Sequence, residues 1–194
     1  GWETDVRKLS AFGLTHPHHA YCLLVRNVIP QWRHSMRTTR CSPDVFAPLE
    51  TALVSGFFPA VFGWRPDDPW LRNRCALPTR HGGLGIPNPV RMASEQYDAS
   101  SRMTSLLVSA MQNPDLHYRT SVKEINHLRY ERRAARDQEL TAEADELAKH
   151  LSGRAAKEFE ELRGGSSWLS VVPLDELRLG LDRETFRDVI ALRM

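Results

Sequence analysis

Near the start of the chain, His16, His18, His19 and Cys22 are of types that could do chemistry. Imidazole and thiolate both ligate zinc, and His19 and Cys22 stand one helical turn apart. Their spacing matches no finger pattern, and the segment reads as a helix start with a buried cysteine. Gly82-Gly83-Leu84-Gly85 is glycine-rich enough to cradle a phosphate. It lacks a Gly-Lys-Ser/Thr ending and a preceding strand, so a structural turn is expected. Asp67-Asp68 is an acidic pair, but two-metal chemistry needs carboxylates converging from separate elements. Its flanking Pro66 and Pro69 instead announce a loop and a helix cap. There is no Gly-x-Ser-x-Gly elbow, and the serines and histidines do not compose a triad. No catalytic residue and no metal site are assigned.

Arginine is the remaining candidate. Between Asp5 and Asp44 there is no acidic residue, while Arg7, Lys8, Arg26, Arg33, Arg37 and Arg40 fall in that interval. Only Lys8, Lys123, Lys149 and Lys157 are lysines, and the planar arginine fork suits phosphate because it can donate two hydrogen bonds at once. Arg26, Arg33, Arg37 and Arg40 are therefore the expected phosphate contacts, with Arg80 and Arg91 as second choices. The net charge of the 194 residues is only +2, so a uniformly basic nucleic-acid binder is excluded and any positive surface must be local.

The elements that would hold these side chains read as helices. At 41% hydrophobic and 26% charged residues, the chain can bury one core or two small ones. Helices are expected over 2–12, 18–36 with a kink at Pro30, and 43–62, where Pro48 marks the first turn and Pro59 the end. Asp68-Pro69 and Asn88-Pro89 are cap-plus-proline signatures opening helices to Ala76 and to about Gln112. On the second of these, Met92, Tyr97, Met103, Leu106, Leu107 and Met111 are expected to face a core. Between them lies a strap, Ala76 to Pro89. Three prolines and three glycines exclude a regular helix there, and Leu77, Leu84 and Ile86 offer apolar anchors.

Residues 119–162 read as a charge-dense helical connector weakened at Gly153 and ended by Gly164-Gly165, too polar for a core position. Asp182 caps a last helix, with Leu181 and Phe186 as its staple. The expected fold is an all-α irregular helical bundle with the strap, a long polar connector helix and a small C-terminal helical subdomain. Its domains would be 1–115, 116–165 and 166–194. No bilayer-spanning apolar run and no signal peptide are recognised, which predicts an intracellular protein, nuclear or cytoplasmic, without a membrane partner. Cys22, Cys41 and Cys75 show no disulfide pattern. The missing initiator methionine suggests a piece of something longer.

A resemblance runs along nearly the whole chain. It is carried by Pro17-His18, Ala20-Tyr21, Leu49-Glu50 and Pro59-Ala60, and by the strap residues Arg74, Ala76-Leu77-Pro78, Arg80, Gly82-Gly83-Leu84-Gly85-Ile86 and Asn88-Pro89. Tyr97, Ser100-Ser101 and Thr104 follow, then Ser166-Ser167-Trp168-Leu169, Pro173-Leu174, Phe186-Arg187-Asp188 and Ala191-Leu192-Arg193. In this order and spacing the chain resembles the region downstream of the polymerase palm in reverse-transcriptase-like polyproteins of the non-LTR retrotransposon type. The resemblance implies a thumb over 18–112, clamping an RNA–DNA or DNA template–primer duplex, and a linker helix behind it. The catalytic aspartates of an RNA-directed DNA polymerase, and their divalent metal, would belong to an upstream palm of the parent chain. This sequence has no Tyr/Phe-x-Asp-Asp turn, and no cofactor is expected in it. Leu179-Gly180 departs from the Gly-aromatic order of the family. The rival reading is a domesticated helical module that binds proteins through Trp32, Trp64 and Trp70.

Overall fold

In the computed structural model, which describes residues 1–113, 118–163 and 167–194, the chain is all-α. Among the described residues no strand forms; His81 and Arg163 meet in one isolated antiparallel bridge. Helix α1 spans Trp2–Gly13. The next two long helices both have to accommodate an internal proline, which has no N–H and whose ring collides with the carbonyl four residues back. In each case the preceding turn widens to π geometry. Leu24–Val28 separates α2 (Pro17–Leu23) from α3 (Ile29–Thr38), and the Ile29 N–H reaches the Leu24 carbonyl. Leu53–Phe57 separates α4 (Ala47–Ala52) from α5 (Phe58–Phe62), and the Phe58 N–H reaches the Leu53 carbonyl. The longer loop moves the clashing carbonyl aside. Pro59, expected to mark the end of its helix, is thereby carried inside it, and the helix stops only at Gly63.

The other helices are α6 (Pro69–Ala76), α7 (Pro89–Gln112), α8 (Tyr118–Ala148), α9 (Gly153–Leu162) and α10 (Arg183–Arg193). Three expected caps are made by side chains. Asp68 accepts from the Trp70 N–H, Asn88 from those of Val90 and Arg91, and Asp182 from those of Glu184 and Thr185. The 20-residue segment Pro43–Phe62 contains an 18-residue stretch of mean hydropathy 1.6, long and apolar enough to cross a membrane, and half of that stretch is buried in protein. Leu53, Phe57 and Phe58 are fully enclosed, and Glu50 is clamped by Arg72 at 2.7 Å, so the segment is the central core helix of this fold.

Two cores result. The first gathers Trp32, Tyr21, Leu53, Phe57 and Phe58 with the strap residues Leu84 and Ile86, and the tail adds Leu169, Phe186 and Ile190. Residues 166–194 were expected as the start of a C-terminal subdomain, and these tail side chains sit in the core of the preceding helices. The second core is small: Leu77 of the strap, Leu140, Ala144 and Leu147 of α8, and Phe159 of α9.

The strap therefore lies between the two cores with an anchor in each. It folds back on the end of α6, whose otherwise orphaned carbonyls it satisfies: Leu84 and Ile86 both donate to Cys75, and Gly85 to Leu77. Gly83 passes so close that a Cβ would lie 2.1 Å from the Leu77 oxygen, a separation that no other residue type can accept. Burial in the same place pushes the Cys75 thiol up to about 12.

The polar segment 119–162, expected as one connector weakened at Gly153, is two helices, α8 and α9. Gly153 takes φ +56, in the region that favours glycine, and α9 turns back so that Phe159 reaches α8 and the strap. The expected stop at Gly164-Gly165 lies outside the described residues, as does the Leu106 side chain. On α7, Met111 was expected to face a core and is 85% exposed, while Ala93 is buried. The helix is half-buried along α3, and α8 lies along it.

Candidate nucleic-acid interface

Three helices enclose a groove of about 780 Å³, and its lining holds five arginines and no carboxylate. The floor is α7, where Ala99 and Ser100 keep the wall low, and the Thr104 hydroxyl turns inward to the Ser100 carbonyl at 3.0 Å. Arg37 enters from the last turn of α3, held by its Nε donating to Gln96 Oε1 at 2.9 Å. The opposite wall is α8, which presents Arg129, Arg132, Arg133 and Arg136, with Asn126 and Tyr130 between and beside them. The spacing i, i+3, i+4, i+7 places these four guanidinium groups on one helical face.

The electrostatics are unfavourable without an anion. Like charges one turn apart on a helix cost about 0.2–0.5 kcal/mol per pair, and Arg129/Arg133, Arg132/Arg136 and Arg33/Arg37 are all so spaced. Arg136 is compensated by Glu139 at 3.1 Å and Glu95 at 3.8 Å. Among the described residues no carboxylate makes an ion pair with Arg129, Arg132 or Arg133. Behind the groove, Arg33 is half-buried. Its buried Nε finds no acceptor among the described residues, and burial, then Arg37, then Arg136 hold its pKa below the ordinary value.

The six arginines singled out from the sequence separate. Arg37 lines the groove and Arg33 stands behind it. Arg40 is exposed beyond the end of α3, and Arg26 donates to the Ser170 carbonyl. Arg80 is paired with Asp137 of α8 at 2.6 Å. Arg91 donates to Asn73 at 2.7 Å and reaches Glu143 at 3.3 Å. Arg80 and Arg91 therefore tie α8 to the strap and α7, each pairing with a carboxylate of the same chain. The arginines of α8 were missed because that segment reads as a solvated connector. The Arg-x-x-Arg-Arg-x-x-Arg pattern from Arg129 to Arg136 was the signal available.

The other candidates have structural roles. His18 is buried, accepting the Leu181 N–H at Nδ1 and stacking on Phe186 with ring centroids 5.1 Å apart. Cys22, Cys41 and Cys75 are free thiols. Among the described residues no three His, Cys, Asp or Glu side chains are grouped to hold a metal. Asp67 pairs with Arg65 at 3.3 Å, and Asp68 caps α6. Trp32 is wholly enclosed, Trp64 stacks on Phe62, and Trp70 donates its indole N–H to the Leu147 carbonyl at 3.1 Å. A protein-binding face built on these three tryptophans is thereby ruled out at Trp32, which has no exposed surface.

The class that fold and site define is an all-α protein with an arginine-lined interhelical groove. No family model matches the sequence, and no curated protein and no solved structure matches it either.

Proposed function

We propose that this chain grips nucleic acid through its phosphate backbone without performing chemistry on it. The groove between α3, α7 and α8 would be the contact surface. The observation that carries this reading is five guanidinium groups on one lining that contains no carboxylate. Arginine forks that repel each other in isolation are relieved by a line of phosphates, and such contacts are independent of base sequence. This fits the thumb and linker region of a reverse-transcriptase-like protein of the non-LTR retrotransposon type, where a template–primer would be held through backbone and shape. In that assignment the polymerase metal and its aspartates belong to the palm of a parent chain.

The test is the salt dependence of binding. Fluorescence anisotropy with an RNA–DNA hybrid carrying a single-stranded template overhang should give affinity that falls steeply with added salt. The double variant Arg129→Ala, Arg133→Ala should flatten the log–log slope by roughly 0.7–0.9 for every phosphate that the protein no longer neutralises. An unchanged slope in the double variant overturns the groove as the binding surface. No binding at low salt overturns the function.

A further inference from the structure

The phosphate contacts account for the arginines and leave Tyr130 unexplained. This side chain is 74% exposed, yet it lies on the lining of the groove, one residue after Arg129 and three before Arg133. Isolated exposed aromatics are ordinary on protein surfaces. An aromatic ring beside guanidinium groups, along a cleft of about 780 Å³, is the combination that holds unpaired bases.

A duplex buries the faces of its bases in its own stack and offers a protein only backbone and groove edges, so a ring laid along it finds nothing to stack on. A single strand exposes both charged backbone and π-faces. Asn126 lies one helical turn before Tyr130 on the same lining and adds an amide that can meet a base edge.

Building on the phosphate-binding reading, we propose that the groove takes single-stranded nucleic acid, with Tyr130 as the stacking platform and Arg129 and Arg133 on the flanking phosphates. On a template–primer this would be the unpaired stretch rather than the duplex.

Binding is to be measured by anisotropy with a short fluorescein-labelled oligothymidylate and a blunt RNA–DNA hybrid of the same length, using the whole 194-residue chain. Tyr130→Ala should weaken the single strand about fivefold or more and leave the hybrid within about twofold, whereas Tyr130→Phe, which keeps the ring, should bind the single strand like the parent. The single-strand proposal is overturned if Tyr130→Ala leaves oligothymidylate affinity unchanged, or lowers both ligands equally, while Arg129→Ala with Arg133→Ala still weakens binding. If the arginine double variant changes neither ligand, the phosphate-binding reading falls as well. Circular dichroism of each variant establishes that the helices are intact.

Discussion

The surroundings of His18 favour its neutral form. Its Nδ1 accepts the Leu181 N–H at 3.1 Å, so the ring proton belongs on Nε2, and protonation of Nδ1 would set two donors against each other. Burial, then the adjacent His19, lowers the His18 pKa below its ordinary 6.5. The unfolded chain therefore takes up this proton at higher pH than the folded one, and stability is lost as pH falls below 6.5. Urea denaturation at neutral and mildly acidic pH should show that loss, and His18→Gln should reduce it. A variant that loses stability as steeply as the parent would remove His18 as the cause. In the sequence His18 is only a residue type that could do chemistry, because imidazole is versatile and spacing says nothing of burial. The same blindness applied to arginine, where Arg37 and Arg80 look alike in the sequence and Asp137 distinguishes them.

Elements are joined at places where the recognisable sequence motifs meet. Tyr21 donates to the Leu84 carbonyl at 2.7 Å, and Arg187 to that of Ala60 at 2.6 Å. Arg74 reaches the carbonyls of Arg193 and Met194, and Arg193 those of Thr79 and Gly83. Glu50 receives both Arg72 Nε and Nη2, while Arg72 also donates to Ile86 and Pro87, binding α4, α6 and the strap together. Removing one partner of a buried pair leaves an uncompensated charge, so Glu50→Ala should cost about 3–5 kcal/mol. Chemical denaturation measures it, and a cost under about 1 kcal/mol would show that the clamp is dispensable. Arg72, Arg74, Arg193 and Tyr21 thus lock the strap to the helix ends. Caps and breakers were legible because Asp-Pro and Asn-Pro act within one turn. The two π turns were not, since they arise from keeping each proline-containing segment as one helix within a packed core.

Across the whole molecule the net charge of +2 cannot attract a polyanion strongly, so binding must come from the uneven distribution of charge. Arg80 and Arg91 are exposed arginines with carboxylate partners at 2.6 and 3.3 Å. Replacing both by alanine should leave the salt slope of hybrid binding unchanged, in contrast to the flattening expected for Arg129 and Arg133. Equal flattening from both double variants would mean that binding follows total charge and not the groove. The packing of α8 along α7 sets the arginine face of α8 opposite Arg37, and the exposed pairs of Arg80 and Arg91 only add to it.

Local chemistry was sufficient to specify an all-α chain, the starts of its main helices, and a proline- and glycine-rich strap with buried anchors at Leu77, Leu84 and Ile86. These follow from backbone donors, capping side chains and periodicity, all of which act over a few residues. Which guanidinium groups face a common groove was decided by tertiary structure. That choice depends on carboxylates brought from more than 50 positions away, as Asp137 is to Arg80, and on the packing of α3, α7 and α8 against one another.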